Sequence, residues 1–304
     1  HRGKGAWLRL AATLPVIALV FLAFGCGVKS QEEAVETTNL TLDEQEPLTF
    51  RIHVAKSNEE KGTYSIYCND NLTDIETISK TVSEYFAGEE MFNTTVSISA
   101  DENVPMGIIT DIKEQLRNAR ALKVRYETHE STIEKRLPPA SKTDMYPATV
   151  DALAGTNRRN IIVMRVNPND EMFLGSTYVK GSLHNDDLYA KELARLKELI
   201  SNPEESAECP EIEMMDIQMP DGSTRQFRVS KGMITFQNDR ATSYEDYTKA
   251  MKLITTAYNE LREELSAEVF GKPLAELSDA EMQVVYQAVP MNVSEAQPKV
   301  APAR

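Results

Sequence analysis

The feature that most restricts how this chain can fold is an uncharged, largely apolar run from Leu10 to Val28. At about 1.5 Å per residue, a helix over this run nearly crosses a hydrocarbon layer of roughly 30 Å. Basic residues precede it at Arg2, Lys4 and Arg9. Because positive charge favours the cytoplasmic side, the pattern predicts a single-pass inner-membrane protein whose N-terminus is cytoplasmic and whose bulk is periplasmic.

Two other interpretations of the run stay open. It is also typical of a signal peptide, either cleaved or of the lipoprotein type with Cys26 as the acylated residue. The chain starts at His1 rather than Met, so we interpret it as a fragment or a processed product. The other two cysteines, Cys68 and Cys209, either pair in an oxidising periplasm or stay unpaired.

Composition narrows the range of partners. The formal net charge of −14 argues against nucleic acid, because binding a phosphate backbone requires clustered Lys and Arg. Changes in composition divide the chain into six parts. These are residues 1–30 (cytoplasmic stub and transmembrane helix), 31–47 (acidic spacer), 48–128 (first domain), 129–157 (linker), 158–298 (second domain) and 299–304 (tail).

Alternating apolar residues predict strands in the first domain, and apolar residues at helical spacing predict helices between them. The predicted order is ββαβαβ, an α+β two-layer sandwich. Its segments are strands at Leu48–Val54, Tyr64–Tyr67, Thr94–Ala100 and Leu122–Tyr126, a helix capped by Asn71 or Thr73, and a helix with Pro105 in its first turn.

The same order of predicted elements begins again near Asn160. A strand, an acidic turn and a helix recur around Met233–Tyr247 as they do around Val96–Ile109, which indicates a degenerate tandem duplication. We also expect a helix starting at Asp186 or Asp187. The predicted fold class is therefore α+β: a single N-terminal transmembrane helix followed by two tandem two-layer sandwich domains.

Motifs for chemistry are missing from the sequence. It contains no H-E-x-x-H, G-x-S-x-G or P-loop motif, and none of its four histidines lies four residues from another. We therefore predict a protein that is not an enzyme and that has no metal or other cofactor. The acid pairs Asp101 with Asp111 and Asp239 with Asp246 are interpreted as carboxylates near helix starts.

Several stretches resemble the periplasmic domain of the ExbD/TolR family in its Bacteroidetes form. They are Val104–Arg117, Val229–Tyr244, Ala257–Leu265, Phe270–Pro273 and Pro290–Ala296. The resemblance implies a partner of a multi-helix membrane protein in a proton-driven motor that energises TonB or TolA. The outer domain of such a protein binds peptidoglycan or the partner.

The function implied is that of a non-enzymatic, membrane-anchored periplasmic component of such systems, acting by protein or cell-wall binding. The implied partners are ExbB/TonB-like membrane proteins or peptidoglycan, with homo-oligomers expected. One departure matters: family members carry an Asp in the membrane helix, and Leu10–Val28 has none, so we predict that this chain does not move protons by itself.

Two alternatives to this function remain. Trp7–Leu10, Leu14–Pro15 and Leu22–Phe24 resemble the last membrane segment of BlaR/MecR-type metallopeptidases, which would make the chain a C-terminal periplasmic sensor region. A cell-wall-binding lipoprotein acylated at Cys26 is the other alternative.

Partner binding is predicted at the starts of two helices, where free backbone N–H groups would hold an anionic group. In the alternative interpretation, Asp101 and Asp239 only cap those helices. The predicted partner-binding residues are Asp101, Pro105, Met106, Asp239, Ser243 and Tyr244.

Overall fold

The predicted fold class needs one correction. The computed structural model describes residues 48–57, 63–89, 94–128, 132–137 and 157–296. None of the helices in those ranges is both long enough and apolar enough to cross a membrane, so the fold class and the transmembrane label are wrong as stated. What the described residues form is an α+β structure with mixed sheets. The run Leu10–Val28, the acidic spacer and Cys26 lie outside them.

The first half is built on a six-stranded mixed sheet in the order β3-β2-β1-β4-β5-β6. Strands β1, β4 and β5 are parallel, while β2 and β6 pair antiparallel with β1 and β5. The strands are β1 (Leu48–Lys56), β2 (Tyr64–Cys68), β3 (Asn71–Leu72), β4 (Thr94–Ala100), β5 (Lys123–Glu127) and β6 (Thr132–Arg136). The helices are α1 (Ile78–Tyr85), which follows a 3-10 turn at Ile75–Thr77, and α2 (Met106–Asn118).

The second half is built on a five-stranded mixed sheet in the order β13-β12-β7-β8-β9, and a separate hairpin of β10 and β11 is inserted into it. The strands are β7 (Ile161–Val166), β8 (Glu171–Leu174), β9 (Thr177–Lys180), β10 (Ile212–Gln218), β11 (Thr224–Ser230), β12 (Met233–Asn238) and β13 (Val293–Glu295). The helices are α3 (Asp186–Ser201), α4 (Tyr244–Phe270) and α5 (Asp279–Ala288), with 3-10 turns at Arg158–Asn160 and Leu274–Glu276.

The two main sheets share one topology. Without β6, the order β3-β2-β1-β4-β5 matches β9-β8-β7-β12-β13, with the same strand directions. The register matches too: Ile98 lies between Ile52 and Tyr126, as Phe236 lies between Met164 and Glu295. These matches define equivalent positions in the two halves.

One hydrophobic core runs through both halves. In β1 the buried residues Phe50, Ile52 and Val54 alternate with the exposed Arg51 and His53, so one face of this strand is apolar and the other polar. A smaller cluster lies between the inserted hairpin and α5. The polar face of β1 therefore lies opposite the core.

Several segments differ from their sequence predictions. Thr132–Arg136, inside the predicted linker, is the edge strand β6, which the sequence hides because Ile133 is its only buried residue. Asn71 belongs to β3 rather than to a helix cap, and Asn185 caps α3 instead of Asp186 or Asp187. Cys68 and Cys209 are both free thiols.

Candidate functional site

The starts of α2 and α4 face each other through backbone hydrogen bonds. Met106 N donates to Thr242 O at 2.8 Å, and Tyr244 N donates to Val104 O at 2.8 Å. Between these two bonds, Pro105 pairs with Ser243 in an isolated antiparallel bridge. Because each bond maps onto the other when the halves are exchanged, this junction has local two-fold pseudosymmetry.

A second pair of bonds extends the junction. Gly107 N donates to Arg240 O at 2.7 Å, and Glu245 N donates to Glu102 O at 3.1 Å. A helix leaves its first N–H groups without partners inside the helix, and here the opposite half supplies them. The N–H groups that we predicted to hold an anionic partner are therefore already bonded within the chain. Binding of a partner by the predicted residues stays a prediction, and their side chains rather than these N–H groups would have to make the contacts.

Close approach at the junction requires a glycine. A Cβ atom on Gly107 would lie 3.2 Å from both Nε and the carbonyl oxygen of Arg240. The Arg240 guanidinium donates to Gly107 O at 3.2 Å and to Asp111 Oδ2 at 2.6 Å. The hydroxyl of Tyr244 is also inserted into the other half, where its single proton is shared between Ile98 O at 2.9 Å and Glu127 O at 3.0 Å.

A buried ion cluster lies beside the junction. The carboxylate of Glu295 accepts from Lys113 Nζ at 2.9 Å, from Lys135 Nζ and from the Tyr247 hydroxyl at 3.2 Å. Burial alone would raise the pKa of Glu295, but the ammonium groups of Lys113 and Lys135 outweigh burial and hold that pKa below its usual range. The cluster joins α2 and β6 of the first half to β13 of the second.

A cleft of about 560 Å³ opens at the carboxyl ends of the parallel strands β1, β4 and β5. We call it the strand-end cleft. Ligands of open α/β sheets commonly bind at such strand ends, because the loops there converge. Its polar lining includes His53, Lys56, Asp101, Glu102, Asn103 and Glu127.

Side chains in the strand-end cleft are held by hydrogen bonds. Asp101 Oδ2 accepts from the Lys56 backbone N–H at 2.8 Å. His53 Nδ1 lies 2.9 Å from Ser99 Oγ, and its Nε2 lies 3.8 Å from Asp101 Oδ1. About half of the Asp101 and His53 side-chain surface is exposed, so both can meet a ligand.

The interpretation of Asp101 and Asp239 as helix caps is wrong. Pro105 precedes α2 without a side-chain cap, and the Ser243 side chain caps α4 by accepting from Asp246 N. The two aspartates occupy equivalent places, since their N–H groups donate to Val54 O and Val166 O at the ends of β1 and β7.

A second polar cluster, the Asp170–His184–Asp246 cluster, lies in the second half. Asp170 is in the β7–β8 turn, His184 precedes α3, and Asp246 is in the first turn of α4. His184 Nε2 lies 2.6 Å from Asp246 Oδ1, and its Nδ1 lies 2.9 Å from Lys249 Nζ. Burial raises the pKa of Asp170; the His184 imidazole opposes that shift and the Asp246 carboxylate adds to it.

Sequence reasoning missed this second cluster. It paired Asp246 with Asp239 and dismissed His184 because no other histidine is four residues away. The three side chains come from separate segments of the chain, and no short-range spacing in the sequence groups them. Of the remaining predicted site residues, Cys26 lies outside the described residues.

Comparison with protein-family models, with curated proteins and with solved structures finds no match to this chain. The ExbD/TolR and BlaR/MecR resemblances therefore stay predictions from the sequence.

Proposed function

We propose that this chain is a binding protein that performs no chemistry of its own, and that its strand-end cleft holds an amine-bearing, peptide-like ligand. The observation that carries the proposal is the position of the cleft at the carboxyl ends of three parallel strands. The proposal keeps the predicted role of the ExbD/TolR resemblance, which is binding to a protein segment or to the cell wall.

The charges of the cleft favour an ammonium group in the ligand. Three acidic residues, Asp101, Glu102 and Glu127, line it, against one lysine, Lys56. Stem peptides of peptidoglycan carry amines as well as carboxylates. The amine is the better match, because the N–H groups at the helix starts are already bonded.

One arrangement in the cleft has the residue types of a nucleophilic triad, namely Ser99, His53 and Asp101. Its geometry favours binding over catalysis. Ser99 and His53 lie opposite each other in the register of the parallel strands β4 and β1. His53 Nε2 lies 3.8 Å from Asp101 Oδ1, and this distance is too long for the hydrogen bond that orients a catalytic base. The other oxygen of Asp101 accepts from the Lys56 backbone.

The test is retention of the purified chain on peptidoglycan, together with calorimetry using a soluble stem peptide whose amine is either free or acetylated. We expect Asp101→Asn to weaken binding of the free amine at least about tenfold, since a hydrogen bond to a charged group contributes roughly 1.5–3 kcal/mol. The asparagine side chain still offers an oxygen to the Lys56 N–H.

Asp239→Asn is the matched control, because it removes the same charge at the equivalent place in the second half. Asp239 is among the residues predicted from the sequence to bind a partner, but the strand-end cleft lies in the first half, so under this proposal Asp239→Asn should leave binding unchanged. The proposal fails if the chain is not retained, if the acetylated peptide binds equally well, or if both variants lose the same affinity. Hydrolysis of the peptide that disappears in Ser99→Ala would show an enzyme instead.

A further inference from the structure

Three potential metal ligands converge in the Asp170–His184–Asp246 cluster. Each residue offers one ligand atom, and these atoms all lie within 4.8 Å of one another. They come from three separate segments of the second half, the β7–β8 turn, the residues before α3 and the first turn of α4, so the fold itself brings them together.

The Asp170 carboxylate supplies an independent observation. Its Oδ1 atom is buried and has no hydrogen-bond partner among the described residues. A buried polar atom without a partner is uncommon in native proteins and calls for an explanation, of which a bound ion is one. Across the site, the Asp246 side chain is only 9% exposed, while the imidazole of His184 is 37% exposed and can be reached from solvent.

We propose that Asp170, His184 and Asp246 bind a divalent transition metal of the Zn²⁺ type, with water completing its coordination. One imidazole nitrogen with two carboxylate oxygens is a donor set that suits Zn²⁺, whereas Ca²⁺ and Mg²⁺ prefer oxygen ligands alone. Three protein ligands leave a position open for water or for a ligand group.

The surrounding charges fit a divalent cation. Besides Asp170 and Asp246, Glu245 lies 3.7 Å from His184 Nδ1, and the ammonium of Lys249 lies 2.6 Å from Glu245. With a neutral imidazole, three carboxylates and one ammonium carry a formal charge that a divalent ion neutralises.

Metal binding would rearrange the contacts of His184. Its Nε2 is now 2.6 Å from Asp246 Oδ1, and two ligands of a tetrahedral Zn²⁺ site with bonds of about 2.0 Å lie about 3.3 Å apart. With Nε2 bound to the metal, a neutral ring carries its proton on Nδ1, where it would face Glu245, and Lys249 would give up its bond to Nδ1 but keep Glu245. A carboxylate behind a metal-bound histidine is a common supporting arrangement.

The experiment is titration of the purified full chain with ZnCl₂ by calorimetry, repeated with Co²⁺ to read coordination from its visible absorption. We expect a single site that Asp170→Asn and His184→Ala each weaken at least tenfold, with loss of the Co²⁺ spectrum. Asp187→Asn, which removes a nearby exposed carboxylate from the first turn of α3, should change neither readout.

Asp170→Asn replaces an oxygen that has no hydrogen-bond partner among the described residues, so it tests the site even if His184→Ala does not fold. Absence of Zn²⁺ binding, or binding that Asp170→Asn and Asp187→Asn alter equally, would overturn the proposal. Tighter binding of Ca²⁺ than of Zn²⁺ would overturn the assignment of the metal. None of these results depends on the strand-end cleft, so the two proposals fail separately.

Discussion

Tyr126 of the first half and Glu295 of the second occupy equivalent positions, yet one side chain is an uncharged phenol and the other is a charged carboxylate. Tyr126 pairs with β4 and Glu295 with the equivalent strand β12, and each contacts Tyr247 of α4. Near this point the first half supplies two cations, Lys113 and Lys135, and the second supplies the carboxylate that they share. The sheet topology repeats, but the side chains at the junction are complementary rather than alike.

Because of this difference, the two halves are not interchangeable at the junction. A pair of first halves would bring the lysines together without Glu295, and a pair of second halves would bring two copies of Glu295 together without the lysines. Like charges in a buried interface are strongly unfavourable. The junction therefore favours the pairing of a first half with a second half. The homo-oligomer remains a prediction, and it would need another surface.

The largest effect on this comparison is expected from Glu295→Gln. It leaves Lys113, which is almost fully buried, without a counter-charge, and breaking a buried ion pair typically costs about 3–5 kcal/mol. Urea unfolding followed by circular dichroism measures the loss. Glu134→Gln, which breaks an exposed pair with Arg125, should cost less than about 1 kcal/mol. Similar losses in the two variants would show that Glu295 stabilises the fold no more than a residue in an exposed ion pair does.

The same cluster predicts a dependence on pH. Because the folded pKa of Glu295 is lowered, its contribution to stability is present above the pKa of the unfolded carboxyl, roughly 4.3, and is lost as pH falls towards the folded pKa. The difference in unfolding free energy between the native chain and Glu295→Gln should therefore shrink in acid. A constant difference from about pH 7 down to about pH 3 would contradict a lowered pKa for this carboxyl.

A smaller effect on stability is expected from Tyr244→Phe. Met106, the equivalent residue of the first half, has no hydroxyl, so this contact is made by the second half alone. The change removes the hydroxyl that Tyr244 offers to Ile98 O and Glu127 O, and should lower the free energy of unfolding by about 1–2 kcal/mol. Tyr178→Phe, at an exposed position, is the control. If the two variants are equally stable, the hydroxyl does not hold the halves together.

The smallest effect is expected from Arg240→Ala. Its ion pair with Asp111 joins the halves, but more than a third of each side chain is exposed, so we expect a loss of only about 0.5–1 kcal/mol. Arg51→Ala, which breaks the more exposed pair with Asp70, should have no measurable effect. A loss above about 2 kcal/mol for Arg240→Ala would mean that the pair behaves as a buried one.

Some of the structure was predictable because it depends on neighbouring residues. The alternation in Leu48–Val54 and Thr94–Ala100 marks β1 and β4, since successive side chains of a strand point to opposite faces. Ser243 ahead of a helical pattern marks the start of α4, because a serine side chain can bond the first free N–H groups. The strand β6 carries too little alternation to be recognised.

The sequence alone therefore determined where most strands and helices lie and that their order recurs, because those properties are set by periodicity over a few residues. Only the tertiary structure decided what the helix starts bind, because their N–H groups are satisfied by carbonyls from the opposite half. It also assembled the Asp170–His184–Asp246 cluster and the strand-end cleft, since sheet pairing brings together side chains that no local pattern relates.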